Sequence, residues 1–350
     1  MGLQSKRVGR EVGRGACLEW QRLFDVTSEA GRNFSPMKKF LLGLLLLVVL
    51  TPACATPGGI PLAPADTARL RQHLQFLTTT PQPRNCQHPV VLDSVAAYIK
   101  QSLRAAGAHQ ITDQPYTVDG ATYRNVLGSF GPVDGPRLII GAHYDVCGEQ
   151  PGADDNGTGV AALLELARLL GQQWALPYRI DLVAYTLEEP PYFRTPNMGS
   201  YVHAAALQAA GVPVRGMVSL EMLGYYDDRP GSQHYPVGVL KLVYGSRGNY
   251  VTVAQKFGNG RFGRRFARQY KGVAQLPVRR FKAPAWLPGL DFSDHLNYWH
   301  FGYPAVLLTD TSFYRNQNYH LPTDTLARLD LRRLGLAVDA LVATVVQGRL

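Results

Sequence analysis

The chain has 350 residues, of which 46% are hydrophobic and 18% are charged. This length and composition suit one compact domain with a sizeable core, and they exclude an intrinsically disordered or low-complexity chain. The net charge of +10 is no argument for a nucleic-acid partner, because no recognised nucleic-acid-binding module is present. We interpret the basic stretch 261–282 as a solvated face or as a rim that attracts acidic peptides.

The first feature along the chain is an export signal. Residues 37–39 (MKK) form a positive region, and an apolar run of eleven residues, 40–50, follows it. A transmembrane helix needs about 20 apolar residues, so we predict a signal peptide and no spanning anchor. The small residue before Cys54 resembles a bacterial lipoprotein cleavage site, in which case a lipid on Cys54 would be the only membrane contact. Cleavage nearby by an ordinary signal peptidase is the alternative.

This leader sets the expected domain limits. We interpret residues 1–36 as an over-extended start and predict that 1–54 are a leader and 55–350 a single exported domain. The protein would act in the periplasm, in the medium or at the cell envelope, and its oligomeric state is not predicted. Cys86 and Cys147 remain in the domain. In an oxidising compartment they could pair, and two unpaired core residues are the alternative.

Helical and extended patterns then alternate in chain order. Helices are predicted over 62–79, 90–106, 160–170, 200–210, 294–300 and 331–346, and strands over 111–118, 123–130, 138–142, 180–187, 217–222 and 305–309. This alternation predicts an α/β three-layer sandwich, in which a central mixed, mostly parallel sheet is flanked by helices. The pattern weakens over 225–290, where we expect a loop-rich excursion above the sheet.

Polar residues follow the ends of the predicted strands. They are His143, Asp145, Asp154, Asp155, Glu188, Glu189, Glu221, Tyr319 and His320. Because the carboxyl ends of strands converge on one crevice in an α/β sheet, we expect these side chains to meet. Imidazoles and carboxylates suit zinc or a similar divalent ion, and crowded carboxylates would repel each other unless cations neutralised them.

The strings that contain these residues resemble the M28 family of zinc peptidases. They are AHYD at 142–145, GADDNGTG at 152–159, EE at 188–189, EMLG at 221–224, SDH at 293–295, RNQNYH at 315–320 and DT at 324–325. They occur in order from about residue 85 to the C-terminus, and together they are specific. The resemblance implies a zinc exopeptidase fold and an aminopeptidase that acts on peptides with two Zn²⁺ ions, other divalent ions being possible.

The resemblance also implies the metal ligands. Asp155 would bridge the two ions, with His143 and Glu221 completing the shell of one ion and Glu189 and His320 that of the other. Many members of the family carry Asp where Glu221 stands, so we expect binding with a somewhat shifted geometry.

Catalytic and supporting roles follow in the same way. Glu188 would be the general base for a water shared by the two ions, and Tyr319 would donate to the oxyanion. Asp145 is the expected acceptor for the free N–H of His143. Asp154 is expected to cap the next helix, and the family pattern predicts a cis peptide bond after Asp155. Asp294 and His295 are expected to serve packing or support.

Three other functions stay open. A carboxypeptidase or dipeptidase of the same fold is slightly favoured by the basic stretch 261–282, which could bind an α-carboxylate. A glutaminyl-cyclase-like acyltransferase would use one zinc. A catalytically inactive ectodomain would have lost ligands, whereas all five positions hold competent residues.

Overall fold

An eight-stranded mixed sheet runs through the protein, as seen in a computed structural model that describes residues 62–350. Its strands are β1 (Gln110–Val118), β2 (Ala121–Phe130), β3 (Arg137–His143), β4 (Ile180–Tyr185), β5 (Val214–Glu221), β6 (Val251–Lys256), β7 (Val278–Ala283) and β8 (Ala305–Thr309). They lie in the order β1-β2-β4-β3-β5-β8-β6-β7. The central strands β4, β3, β5 and β8 are mutually parallel, so their carboxyl ends lie along one edge of the sheet.

Helices cover both faces of this sheet. They are α1 (Thr67–Thr78), α2 (Pro89–Ala105), α3 (Gly159–Gly171), α4 (Gly199–Ala209), α5 (Leu240–Tyr244), α6 (Gly260–Val273), α7 (His295–His300) and α8 (Leu331–Val346). One core cluster joins one face of the sheet to α1, α2, α3, α6 and α8, and the other joins the opposite face to α4 and α7. The predicted three-layer sandwich is therefore confirmed.

Strand β3 shows why the central strands are so apolar. Leu138 and Ile140 enter one core cluster, whereas Ile139 between them enters the other. Successive side chains of a strand point to opposite faces, and both faces of this sheet are covered by helices. After Arg137 the strand therefore carries no polar residue until its end, where His143 stands.

The structure at the β6–β7 edge of the sheet differs from the prediction for residues 225–290. The expectation of a loop-rich excursion above the sheet is wrong for β6, α6 and β7, which extend the sheet and cover it. In α6, Phe262, Phe266 and Tyr270 are buried while the arginines between them are exposed. The many arginines of this segment hid its apolar periodicity.

The structure tests the predictions on the cysteines and on the leader only in part. Cys86 is a free thiol, so it does not pair with Cys147. The leader 1–54, with Cys54, lies outside the described residues. Within 62–350, no helix has both the length and the apolar character that crossing a membrane requires.

Candidate metal centre

The five predicted ligand residues lie together at the carboxyl edge of the parallel strands. His143 is the last residue of β3 and Glu221 the last of β5. Glu189 follows β4, Asp155 lies in the turn before α3, and His320 lies in the loop after β8. The side chains of all five are almost completely buried, so the sheet edge collects them from distant parts of the chain.

Asp155 presents one carboxylate oxygen to each histidine. Its Oδ1 lies 3.6 Å from Nε2 of His143, and its Oδ2 lies 3.1 Å from Nε2 of His320. A glutamate completes each side, with Oε2 of Glu221 3.3 Å from His143 Nε2 and Oε2 of Glu189 3.2 Å from His320 Nε2. Each histidine, its glutamate and Asp155 are called a trio below. Ligand atoms of His143, Asp155 and Glu189 also lie within 4.8 Å of one another, as do those of Cys147, Glu189 and His320.

The distances from each histidine nitrogen to its two carboxylate oxygens fit a zinc-like cation. Zinc bonds of about 2.0–2.2 Å in a tetrahedron hold neighbouring ligand atoms about 3.3 Å apart. Asp155 Oδ2, Glu189 Oε1 and both ring nitrogens of His320 are buried without a hydrogen-bond partner. Unpaired buried polar atoms are costly, and a divalent cation would satisfy them. The residues present therefore fit the metal that the sequence predicts.

The pKa values of Glu189 and His320 are raised by the negative charge buried at the site. Burial, followed by the charge of Asp155, raises the pKa of Glu189 to about 7. Burial lowers the pKa of His320, but the charge of Glu189 and the contact with Asp155 outweigh it and raise that pKa to about 10. The buried negative charge thus favours protonation of both groups, and a divalent cation would counter the same charge.

The two predicted catalytic residues line the cleft above the trios. Glu188 and Tyr319 share this cleft with Phe193 and Phe292. Burial raises the pKa of Glu188 well above its usual range, and it does the same to the pKa of the Tyr319 phenol. Burial thus favours the protonated form of both groups, which makes the Glu188 carboxylate a stronger base and leaves the phenol of Tyr319 a donor.

Asp145 lies behind His143 and mainly fixes the neighbouring main chain. Its Oδ1 is 3.6 Å from Nδ1 of His143, beyond hydrogen-bond range, whereas its main-chain oxygen is 3.2 Å from that atom. Its carboxylate accepts the N–H groups of Glu188 at 3.2 Å and Glu189 at 3.1 Å. Asp145 therefore orients the glutamate pair with its side chain and the imidazole with its carbonyl.

Two further aspartates hold the turn that carries Asp155. Asp154 accepts the N–H of Gly224 at 2.9 Å and the side-chain amide of Asn316 at 2.8 Å. Its carboxylate thus ties three loops together. The predicted helix cap is wrong, because the N-cap of α3 is Thr158, whose side chain makes no capping hydrogen bond. Asp324 accepts the N–H groups of Asp154 and Asp155 at 3.0 Å. Asp324 stands in one of the strings that resemble the family, but no sequence pattern indicates these hydrogen bonds.

Arg84 braces the same turn and was missed by the sequence analysis. It is 1% exposed and donates to the main-chain oxygens of Leu77 at 3.0 Å and Gly152 at 2.5 Å. Burial lowers the pKa of Arg84 to about 10, although Asp324 and Asp155 oppose that shift. Gly152 has φ +57°, and a Cβ there would lie 2.3 Å from the oxygen of Asp155, so the turn requires glycine.

Glu221 is oriented by two residues that the sequence left without a role. Ser293 donates its hydroxyl to Glu221 Oε2 at 2.8 Å, and Asn156 donates its amide to the same oxygen at 3.3 Å. The cis peptide bond predicted after Asp155 is present. His295 donates to the main-chain oxygen of Leu290 at 2.7 Å, which agrees with its expected packing role.

The backbone is strained beside several ligands. Leu187, Met222 and His320 have φ values of 58°, 43° and 57°, in the left-handed region that non-glycine residues seldom adopt. One precedes the glutamate pair, one follows Glu221, and the third is itself a predicted ligand. Such strain persists where the surrounding structure fixes a functional geometry.

Comparison with known proteins places this site in a family. The chain matches the model of peptidase family M28 over residues 125–345, a range that includes all five predicted ligands. It is 40% identical over 329 residues to the uncharacterized protein YfbL of Escherichia coli K12, covering 89% of this chain and 100% of that protein.

More distant similarities extend this comparison. The chain is 26% identical to a probable leucine aminopeptidase of Arthroderma otae, over 67% of this chain and 57% of that protein. The LapA aminopeptidase of Legionella pneumophila superposes with a TM-score of 0.64 at 20% identity, covering 81% of this chain and 72% of that one. At that identity the likeness concerns the fold alone.

Proposed function

The chain belongs to peptidase family M28, and from this premise we propose that it is a co-catalytic two-metal exopeptidase that removes the N-terminal residue from peptides. The observation that carries the proposal is the placement of Asp155, whose two oxygens face two different histidines. The similarity to a leucine aminopeptidase supports the choice of the N-terminus.

In this proposal each trio would hold one cation. His143 and Glu221 would hold one ion, His320 and Glu189 would hold the other, and Asp155 would contribute to both. The donor set of imidazole and carboxylate suits zinc best, and other divalent ions are compatible with it. When bound, the ions would polarise the scissile carbonyl and lower the pKa of an attacking water.

Glu188 moves the proton in the proposed reaction. It lines the cleft without being a member of either trio, and Asp145 fixes its main chain through the Glu188 N–H. Burial raises its pKa, so its carboxylate can accept a proton from the attacking water and then deliver it to the leaving amine.

Tyr319 and two phenylalanines complete the cleft. The phenol of Tyr319 stays protonated because burial raises its pKa, so it can donate to the oxygen on which negative charge develops. The rings of Phe193 and Phe292 pack edge to face, 5.8 Å apart, at this cleft. They reduce the access of bulk water to the reacting groups.

The site of action is proposed to be outside the cytoplasm. The support is the signal pattern of residues 37–50, and a lipid on Cys54 would hold the enzyme at the envelope. Fractionation of cells that express the chain with a C-terminal tag tests this, and recovery only in the cytoplasm would contradict it.

The proposal is tested by Glu188→Gln with aminoacyl p-nitroanilides as substrates. We expect the variant to retain about two bound metal ions per chain, measured by mass spectrometry, and to lose turnover by several orders of magnitude, because a neutral amide cannot accept the proton. Glu149→Gln, at an exposed carboxylate nearby, is the matched control. Near-normal turnover of Glu188→Gln would refute the base, and equal cleavage of N-acetylated substrates would refute an aminopeptidase.

A further inference from the structure

A second cavity adjoins the cleft above the trios. It measures about 80 Å³ and is called the side cavity below. Phe292 lines both spaces, and the ring of Phe313, which lines the side cavity, lies 5.4 Å from the ring of Tyr319. A peptide held in the cleft could therefore place a side chain or a chain end in the side cavity.

One face of strands β6, β7 and β8 forms the floor of the side cavity. It is lined from three adjacent strands by Thr252, Ala254, Arg279, Phe281, Leu307 and Thr309. Within each strand the two lining residues are two positions apart, so they share a face. Aromatic rings form much of the wall, with those of Tyr235, Tyr244 and Tyr250 among them. The cavity thus suits an apolar group along its aromatic wall, and its polar lining comes from Arg279, the threonines, Gln233, His234 and Ser312.

Arg279 brings an unbalanced positive charge to this floor. Its guanidinium lies 5.3 Å from the ring centre of Tyr250, and its Nε is buried without a hydrogen-bond partner. None of the described residues that line the cavity is Asp or Glu. Nearby Arg315 differs, because it donates to Gln233 at 2.9 Å and to the main-chain oxygen of Tyr250 at 2.8 Å.

Thr252 provides an independent sign that an acceptor belongs here. It is 5% exposed, and its hydroxyl has no hydrogen-bond partner. A buried hydroxyl without a partner is unusual and costs free energy. Arg279 and Thr252 occupy adjacent paired strands, in register with each other. Two buried donors without partners, Arg279 Nε and the Thr252 hydroxyl, lie on the same floor. An acceptor group that binds between them would satisfy both.

We propose that the side cavity binds a carboxylate of the peptide substrate, carried on an apolar stem, through Arg279 and Thr252. A carboxylate would neutralise the charge of the guanidinium and accept strong, charge-assisted hydrogen bonds from it. The aromatic walls would accommodate the stem. The peptide as ligand rests on the proposed exopeptidase function. The carboxylate belongs either to the side chain of a terminal residue or to the free C-terminus of a short peptide, and the arms of the test separate these sources.

The first arm measures selectivity in the metal-loaded enzyme. For a side-chain carboxylate, Arg279→Met should lower the ratio of kcat/KM for glutamyl or 2-aminoadipyl substrates to that for leucyl substrates about tenfold to a hundredfold. For a C-terminal carboxylate, the variant should instead remove a preference for free dipeptides over their amides. Arg280→Met is the control, because Arg280 is exposed on the opposite side of β7. If neither ratio changes in Arg279→Met, the proposal is overturned.

The second arm does not depend on catalysis, so it separates this proposal from the proposed function. The probes are 4-phenylbutyrate and its amide, titrated by calorimetry into the wild type, Arg279→Met and Arg280→Met. We expect the carboxylate to bind the wild type and Arg280→Met at least about tenfold more tightly than Arg279→Met, with no such difference for the amide. Equal binding of the carboxylate to all three proteins overturns the proposal, even if the peptidase activity is confirmed. The predicted difference without any peptidase activity would support the cavity and refute the function.

Discussion

The cleft above the trios and the side cavity lie next to each other, but they differ in how their polar groups are hydrogen-bonded. In the cleft, hydrogen bonds from neighbouring side chains hold the predicted ligands: Asp324 holds the main chain of Asp155, Asp145 holds that of Glu189, and Ser293 holds Glu221. In the side cavity, two buried donors, Arg279 Nε and the Thr252 hydroxyl, have no hydrogen-bond partner among the described residues.

This difference separates two tasks. Side chains that must hold metal ions need a fixed geometry, and that geometry comes from surrounding hydrogen bonds. A pocket that selects a substrate needs unused donors and adaptable apolar walls. We therefore expect substitutions in the cleft to change metal binding and turnover, and those in the side cavity to change selectivity or stability.

The strongest test of this division is Asp155→Ala. We expect the variant to lose bound metal and to lower kcat/KM by several orders of magnitude, because the shared member of both trios is removed. Metal analysis and kinetics on a leucyl substrate measure both effects. Asp134→Ala, at an exposed loop position, is the control. Retention of two metal ions per chain would show that Asp155 does not bridge.

An intermediate effect is expected from Ser293→Ala. The hydroxyl holds Glu221 at 2.8 Å, and loss of such a support typically weakens metal binding about tenfold to a hundredfold. Competition with a chelator measures the affinity. Ser102→Ala, whose hydroxyl bonds only within its own helix, should leave the affinity unchanged. An unaltered affinity in Ser293→Ala would mean that Glu221 needs no orientation.

The smallest effect is expected in the side cavity, from Thr252→Val. Because the Thr252 hydroxyl has no partner, its removal should leave the free energy of unfolding unchanged or raise it by up to about 1 kcal/mol. Thr344→Val, which removes a buried hydroxyl bonded to Ala340 at 2.6 Å, should lower it by about 1 kcal/mol. Urea unfolding measures both. A clear loss of stability in Thr252→Val would show that its hydroxyl is satisfied in solution.

The central sheet was predictable because its strands are buried on both faces and so appear as apolar runs. Strand β7 was not, since Arg279, Arg280 and Lys282 leave little apolar signal in it. The donor residues of the site were found because their types and strings are distinctive. Arg84 and Ser293 were missed because their roles depend on contacts with Gly152 and Glu221, and no spacing in the sequence announces such long-range partners.

The position of the supporting residues along the chain has a consequence for biosynthesis. Arg84 emerges from the ribosome long before Gly152, the residue it braces, whereas Asp324, which fixes the main chain of Asp155, emerges only near the end of translation. A nascent chain therefore cannot complete the cleft until almost all of it has been made, and products of interrupted translation that end before His320 lack one of the two trios.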